Sequence, residues 1–492
     1  MKIQTTIALM LLLAEFTIAQ STFLRHFPSP EYDSFYSAVQ TEDSGYILCG
    51  SKQIGGTSSV FNSWVVKLDD NGSLVHDTLL SSTEVTSGYS YIRKSKYDNS
   101  RFFISGYLDY ADSMNFTGIW EYNQDISLLR VFGTEFKDTL LNTPVAYINL
   151  GDTTFYLYSG TRRINFGSSD ISLLKLNSND NSYTLFEPAE HRLRWPSGVL
   201  FDSIAQAIII AYMGAEVKNG LPVNILSFDL TLSNILAHQP NVSFTNLNYG
   251  FNLLYDNSLI LTGFRDDFIT GLKYLLAYKF DNDLVALDSL TLFVSADTIT
   301  YPSWGQSVLS LDSSLVVVGI YNLNPSTFWQ PTPTWIQLSR INADFELTDQ
   351  YYYGGDGLYF PYDIISTSDG GMLIAGNYYN PNAIPLVQQR DPFILKLNSE
   401  GLIVNVDNPE QPIAQEAIVL PNPGKEYLQV KLAIQHKTAS FQLFDTGGRQ
   451  VLETDLSGDM QRVKTEKLPS GVYIYRITGS NRVIGSGKWL KE

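Results

Sequence analysis

Apolar positions along this chain come in runs of about four to eight residues, separated by clusters of Gly, Asn, Asp and Ser. Such runs are too short for stable helices and are bounded by turn residues, so they predict strands. One unit recurs. The strand Gly45-Tyr-Ile-Leu-Cys-Gly50 is followed by Trp64-Val-Val-Lys-Leu-Asp69, a turn at Asp70-Asn-Gly72 and a strand from Leu74 to Leu80. The same order returns in Asp369-Gly-Gly-Met-Leu-Ile-Ala-Gly376, Phe393-Ile-Leu-Lys-Leu-Asn398, Ser399-Glu-Gly401 and Leu402 to Val406. Between them lie Phe102 to Gly106, Phe155 to Gly160, Ile208 to Gly214, Leu259 to Gly263 and Leu315 to Gly319. The glycines closing these strands are spaced by 49 to 57 residues, and a short strand pattern precedes each. Seven units of four strands at this period predict radial repetition in a seven-bladed β-propeller. Solenoid repeats are shorter, and a sandwich does not return to one motif at a fixed period. A glycine at each strand end implies a turn or a close approach that a side chain would block.

Beyond Val406 the pattern changes. Asp407-Asn-Pro-Glu-Gln-Pro412 reads as a linker, and six short alternating strands between Tyr427 and Leu490 predict a small β-sandwich. Charge marks the same boundary: the 492-residue chain carries −17, whereas residues 410–492 hold 11 Lys and Arg against 9 Asp and Glu. An acidic propeller excludes nucleic acid as a partner, since phosphate binding needs clustered Lys and Arg. Cys49 is the only cysteine, so no intramolecular disulfide can form, and in a strand it reads as a small buried apolar residue. At the start, Lys2, the apolar run from Ile7 to Ala14 and Thr17-Ile-Ala19 have the pattern of a cleavable signal peptide. No later run is long enough for a membrane span.

The repeats resemble those of bacterial extracellular propellers with an Asp-Gly-Gly strand followed by a strand ending Lys-Leu-Asp. The terminal segment carries a closer likeness. Pro421-Asn422-Pro423, Asp445-Thr-Gly-Gly448-Arg449, Leu468-Pro-Ser-Gly471-Val-Tyr473 and Gly487-Lys488-Trp-Leu-Lys491 resemble the type A C-terminal sorting domain of the type IX secretion (Por) system. That resemblance implies a Bacteroidota-type cargo, an extracellular or outer-membrane surface location, and the secretion machinery as a partner. The organisation expected is therefore a signal peptide at 1–19, a seven-bladed propeller at 20–408, a linker at 409–417 and a sorting domain at 418–492. The fold class is all-β, with four-stranded blades and a small Ig-like β-sandwich.

Long connections after the second and fourth strands of each unit fall on one rim, which is where a propeller places its ligand. On that rim the sequence places Arg192, Arg194 and Trp195, then Phe328 and Trp329, Asp356 and Tyr359, and Tyr378, Tyr379 and Arg390. Aromatic residues on stiff loops suit stacking against a sugar or clamping a peptide, with Arg or Asp fixing orientation. The five histidines are scattered without metal-ligand spacing, and there is neither a Gly-x-Ser-x-Gly elbow nor a phosphate loop. No metal or cofactor is expected. The favoured reading is a secreted or surface binding protein engaging a glycan or protein. A glycan-active hydrolase or lyase, and a structural or adhesive component, are the alternatives.

Overall fold

The computed structural model describes residues 21–492 apart from 55–60, 81–84, 111–113, 138, 164–168, 188–193, 215–220, 241, 246–250, 254–257, 268, 312–313, 324–331, 381–389, 404–416, 433–438, 459 and 480–481. The expected signal peptide at 1–19 and most of the expected linker at 409–417 thus lie outside the described residues. Every described element is a strand. Seven antiparallel sheets follow one another along the chain. The first runs Asp33–Gln40, Tyr46–Gln53, Phe61–Leu68 and Leu74–Leu80, each strand pairing with the next. In the seventh, Leu358–Ser366, Met372–Tyr379 and Asp391–Leu397 are completed by Phe23–His26, whereas most of the expected strand Leu402 to Val406 lies outside the described residues. This corrects the sequence reading of the last unit: Phe23 to His26 occupy the free edge of Asp391–Leu397.

Of the seven glycines only Gly214 ends its strand, Ala207–Gly214, and the other six lie inside theirs. Gly50 lies inside Tyr46–Gln53 and Gly106 inside Arg101–Tyr110.

Alternation along each second strand explains the continuous apolar runs. Successive side chains of a strand point to opposite faces, and each face here meets a different neighbouring sheet. Tyr46 and Leu48 pack with Leu373 and Ile394 of the seventh sheet, whereas Ile47 and Cys49 pack with Ile104 and Trp120 of the second. Ile208 and Ile210 meet Tyr156 and Leu173 of the third sheet, and Ile209 and Ala211 meet Leu261 and Leu276 of the fifth. Similarly Val317 joins Leu275, while Val316 and Val318 join Ile374 and Leu395. Phe103 and Phe155 join the second and third sheets. The chain of interfaces closes on itself, with Asp33–Gln40 touching both Val85–Lys94 and Leu358–Ser366. Stacking of sheets in a closed ring is the β-propeller architecture.

The turn after each third strand is built in one way. Asp69, Asn123, Asn177, Asp229, Asp281, Asn342 and Asn398 each accept a hydrogen bond on Oδ1 from the backbone N–H two residues on. These are Asx turns, the chemistry that Asp and Asn supply at tight corners.

Residues from Ala417 onward form two facing sheets, Ala417–Leu420, Tyr427–Leu432 and Met460–Lys464 against Gln450–Leu456, Ala439–Phe444, Gly471–Gly479 and Arg482–Lys491. Their core is centred on Trp489, Phe441 and Leu428.

Candidate functional site

The innermost strands carry a repeated irregularity. In the first sheet Phe35 pairs with Gly50 and Ser37 with Cys49, so Tyr36 is an extra residue. Ser90, Val145, Ser197 and Tyr362 are extra in the same way in the second, third, fourth and seventh sheets. In the sixth, pairing jumps from Pro302 opposite Gly319 to Val308 opposite Val317, which leaves Ser303 to Ser307 outside the ladder. A β-bulge re-aims a side chain and breaks pairing locally.

Two residue types make these bulges. Pro144, Pro196, Pro302 and Pro361 stand immediately before the interruption, and proline has no N–H to continue the ladder. Glycine opposite lets the displaced backbone come close. A Cβ at Gly50 would lie 1.8 Å from the Ser34 carbonyl oxygen, and one at Gly376 would lie 2.3 Å from that of Phe360. The carbonyl freed at Pro361 is used between sheets, accepting hydrogen bonds from Ser303 Oγ at 2.9 Å and the Trp304 N–H at 3.0 Å.

The five extra residues, with Trp304, Gly305 and Gln306 of the sixth sheet, line one central cavity of about 410 Å³. Every sheet contributes: Tyr36, Ser90, Val145, Ser197, Phe251, Trp304 and Tyr362. Tyr32, Phe61, Tyr107 and Arg390 add a wall beside the long connections 54–60 and 380–390. Nine of the 23 described lining residues are aromatic and seven are polar or charged.

Asp363 is the one carboxylate among the described lining residues. It is buried, and its Oδ2 accepts Ser37 Oγ at 2.6 Å and the Ala38 N–H at 3.0 Å from the first sheet. Arg93 of the second sheet reaches the same oxygen at 3.9 Å. The Ile364 N–H also bonds to the Asp363 carboxylate, and Asp363 Oδ1 and Ser197 Oγ are both shielded from solvent. Burial pushes the Asp363 carboxyl above its ordinary range, and Arg93 only partly opposes this. Arg93 also sits 3.5 Å over the Tyr91 ring and donates to Ile92 O at 2.8 Å.

Arg390 lies over the Tyr32 ring at 4.1 Å and the Tyr379 ring at 5.0 Å. Its Nη1 donates to Ser34 Oγ at 3.1 Å and its Nε to the Tyr379 hydroxyl.

Of the residues placed on the rim from sequence, Arg390 lines the cavity and Tyr379 supports it. Tyr359 departs from that expectation: it is buried, with its hydroxyl 3.1 Å from His26 Nε2. Tyr378 stacks on His26 with centroids 4.6 Å apart, and its hydroxyl lies 3.5 Å from the carbonyl oxygen of the exposed Asp356. These three residues gather around the strand that closes the ring, because His26 inserts there. Burial in that cluster pushes the His26 pKa down. Arg194 and Trp195 pair through the backbone with Gly214 and Met213. The side chains of Arg194 and Trp195, and all of Arg192, Phe328 and Trp329, lie outside the described residues. Sequence reading missed Asp363, Arg93, Tyr36 and Trp304. The signal was present, as a proline recurring just before the innermost strand's second half.

The motif shared by the first and last repeats is an ion pair. Lys396 Nζ, with only 2% of its side chain exposed, lies 2.8 Å from Asp369, and Lys67 lies 3.4 Å from Asp43. Thr367 Oγ1 and the Gly371 N–H also donate to Asp369.

In the terminal sheets the motif residues are structural. Pro421 O accepts Trp489 Nε1 at 2.9 Å, and Asn422 bridges the Lys488 carbonyl and the Leu490 N–H. Asp445 accepts from the backbone of Gly447 and Arg449, and Gly448 takes a left-handed conformation at φ 80°. The Tyr473 hydroxyl donates to Pro469 O at 2.7 Å. Pro423 joins Asn422 through a cis peptide, and Gly471 opens the strand Gly471–Gly479.

Residues 418–491 match the family described as the secretion system C-terminal sorting domain. That domain marks proteins secreted or surface-attached through type IX secretion, so the secretion machinery is a partner of this chain and its location is extracellular or on the outer surface. No curated protein matches the chain. Among solved structures it is similar to the β-propeller domain of the trilobed protease from Pyrococcus furiosus, at 9% identity and a TM-score of 0.42, covering 77% of this chain and 99% of that one. It is also similar to the GH93 α-L-arabinofuranosidase of Fusarium graminearum, at 10% identity and a TM-score of 0.40, covering 77% and 98%. A Dyadobacter fermentans protein of unknown function gives 12% identity, a TM-score of 0.43 and coverage of 76% and 99%. Among the described residues no helix is long and apolar enough to cross a membrane.

Proposed function

We propose that this chain is an extracellular glycan-binding protein whose ligand sits in the central cavity of a seven-bladed propeller. The observation that carries the reading is the convergence of one innermost segment from each of the seven sheets, six of them with an irregular register, on a cavity whose lining includes nine Tyr, Trp and Phe residues. Aromatic faces stack on the C–H faces of a sugar ring, and a few fixed polar groups read its hydroxyls. A glycosidase would need two carboxylates flanking the bond, whereas the described lining supplies one. In this reading residues 1–19 are the export signal of a Bacteroidota-type cell, 20–408 the cargo, 409–417 a linker and 418–492 the address.

The test is a glycan array probed with the secreted protein and with Tyr36→Ala and Trp304→Ala variants. Binding that falls about tenfold in each variant supports the cavity as the site, in line with roughly 1 kcal/mol per aromatic contact. Silence across the array, or binding untouched by both substitutions, overturns it.

A further inference from the structure

The charges in the cavity do not cancel. Arg93 and Asp363 face each other at 3.9 Å and offset one another. Arg390 has no such partner. Its described contacts are two hydroxyls and two tyrosine rings, and no carboxylate pairs with it among the described residues. Nε and one Nη1 N–H are engaged, which leaves the second Nη1 N–H and both Nη2 N–H groups without a described partner on a residue that lines the cavity. The two rings hold the guanidinium plane in place, so the free edge is presented in a fixed orientation.

A half-buried guanidinium fixed by stacking, with a free planar edge in an aromatic cavity, suits a carboxylate, which it can meet with two parallel hydrogen bonds. The rest of the chain points the same way. With a net charge of −17, the protein's general field repels anions, so one uncompensated cation inside a largely acidic molecule acts as a local recognition element and not as part of a basic surface. Desolvation by the aromatic walls strengthens that contact relative to water.

We infer that the ligand is an acidic glycan of the uronate class, its carboxylate paired with Arg390. This rests on the glycan-binding reading and sharpens it to a substrate class. Arg390 then sets specificity: it separates a uronate from the neutral sugar of the same ring shape.

The experiment compares uronate oligosaccharides (galacturonate, glucuronate, mannuronate) with the same oligosaccharides after reduction of their carboxyl groups, by calorimetric titration against the secreted protein. At least one acidic form is expected to bind about tenfold or more tightly than its reduced counterpart, the range for a charge-assisted hydrogen-bonded pair. Arg390→Gln should bring the two forms to equal affinity, and Arg390→Lys should keep part of the preference. Equal or tighter binding of the reduced forms by the unaltered protein overturns the inference while leaving glycan binding intact. A preference that survives in Arg390→Gln also overturns it. Absence of binding in both forms overturns it together with the reading on which it rests.

Discussion

Replacing Gly50 by alanine tests the link between the repeated glycine and the bulge that shapes the cavity. The new Cβ would lie 1.8 Å from the Ser34 carbonyl oxygen and 2.8 Å from its carbon, both backbone atoms that no rotamer change can move. To relieve this, the innermost strand must part from its neighbour by roughly 1 Å, which breaks ladder bonds on both sides of Tyr36 and costs about 3 kcal/mol, the upper end for overpacking a tight interior. The same substitution at Gly160 is predicted to be harmless, because its Cβ would meet only Pro196 Cγ, at 3.4 Å. There it should be neutral or stabilising by about 0.5 kcal/mol, since alanine has less conformational freedom to lose than glycine. Gly376→Ala, with a Cβ 2.3 Å from the Phe360 carbonyl, should fall between the two. Urea unfolding followed by tryptophan fluorescence suits the comparison, because Trp64 is the pairing partner of Gly50. A Gly50→Ala protein that unfolds at the midpoint of the unaltered chain would refute the argument, and so would a Gly160→Ala protein as weakened as Gly50→Ala.

Asymmetry is expected at the seventh-sheet ion pair: Asp369→Ala strands a Lys396 ammonium that has only 2% of its side chain exposed and should cost about 3 kcal/mol, whereas Lys396→Met leaves a carboxylate 20% exposed and should cost under about 1 kcal/mol in denaturant titrations. Cys49 is fully buried and burial raises its thiol well above the ordinary range, so a thiol reagent should label the native protein negligibly and the unfolded protein fully, by mass spectrometry. Asp229 is held at about 2, chiefly by the Thr231 hydroxyl. A lowered carboxyl pKa stabilises the fold above the ordinary value near 3.8 and loses that contribution as pH falls through about 2, so the stability gap between the unaltered chain and Asp229→Asn should narrow in acid. Trp489 is fully buried with its Nε1 bonded to Pro421 O, and Trp489→Ala should cost about 3–5 kcal/mol in the terminal sheets. Deletion of residues 418–491 should retain the protein in the periplasm, scored by cell fractionation.

The sequence by itself determined the strands, their sevenfold recurrence and the terminal address. Each of these is written in local chemistry: two-residue alternation, Asx turns at Asp69 through Asn398, and contiguous motifs such as Pro421-Asn-Pro423. The two ion pairs were legible as a motif, Asp-x-Gly followed by a strand with Lys, although their physical meaning appeared only when Lys396 was found against Asp369. Tertiary structure decided three things. Phe23–His26 closes the ring because it reaches the free edge of Asp391–Leu397, a pairing across about the whole repeat region that no local pattern encodes. His26 accordingly packs with Tyr359 and Tyr378 at the closure. The cavity, finally, is assembled from residues such as Tyr36, Ser197, Trp304 and Asp363, one segment per sheet and far apart in the chain. Each bulge is hinted at locally by a proline or a glycine, but only the closed ring turns them toward one point, and so only the fold could show that Arg390 stands among them with no carboxylate partner among the described residues.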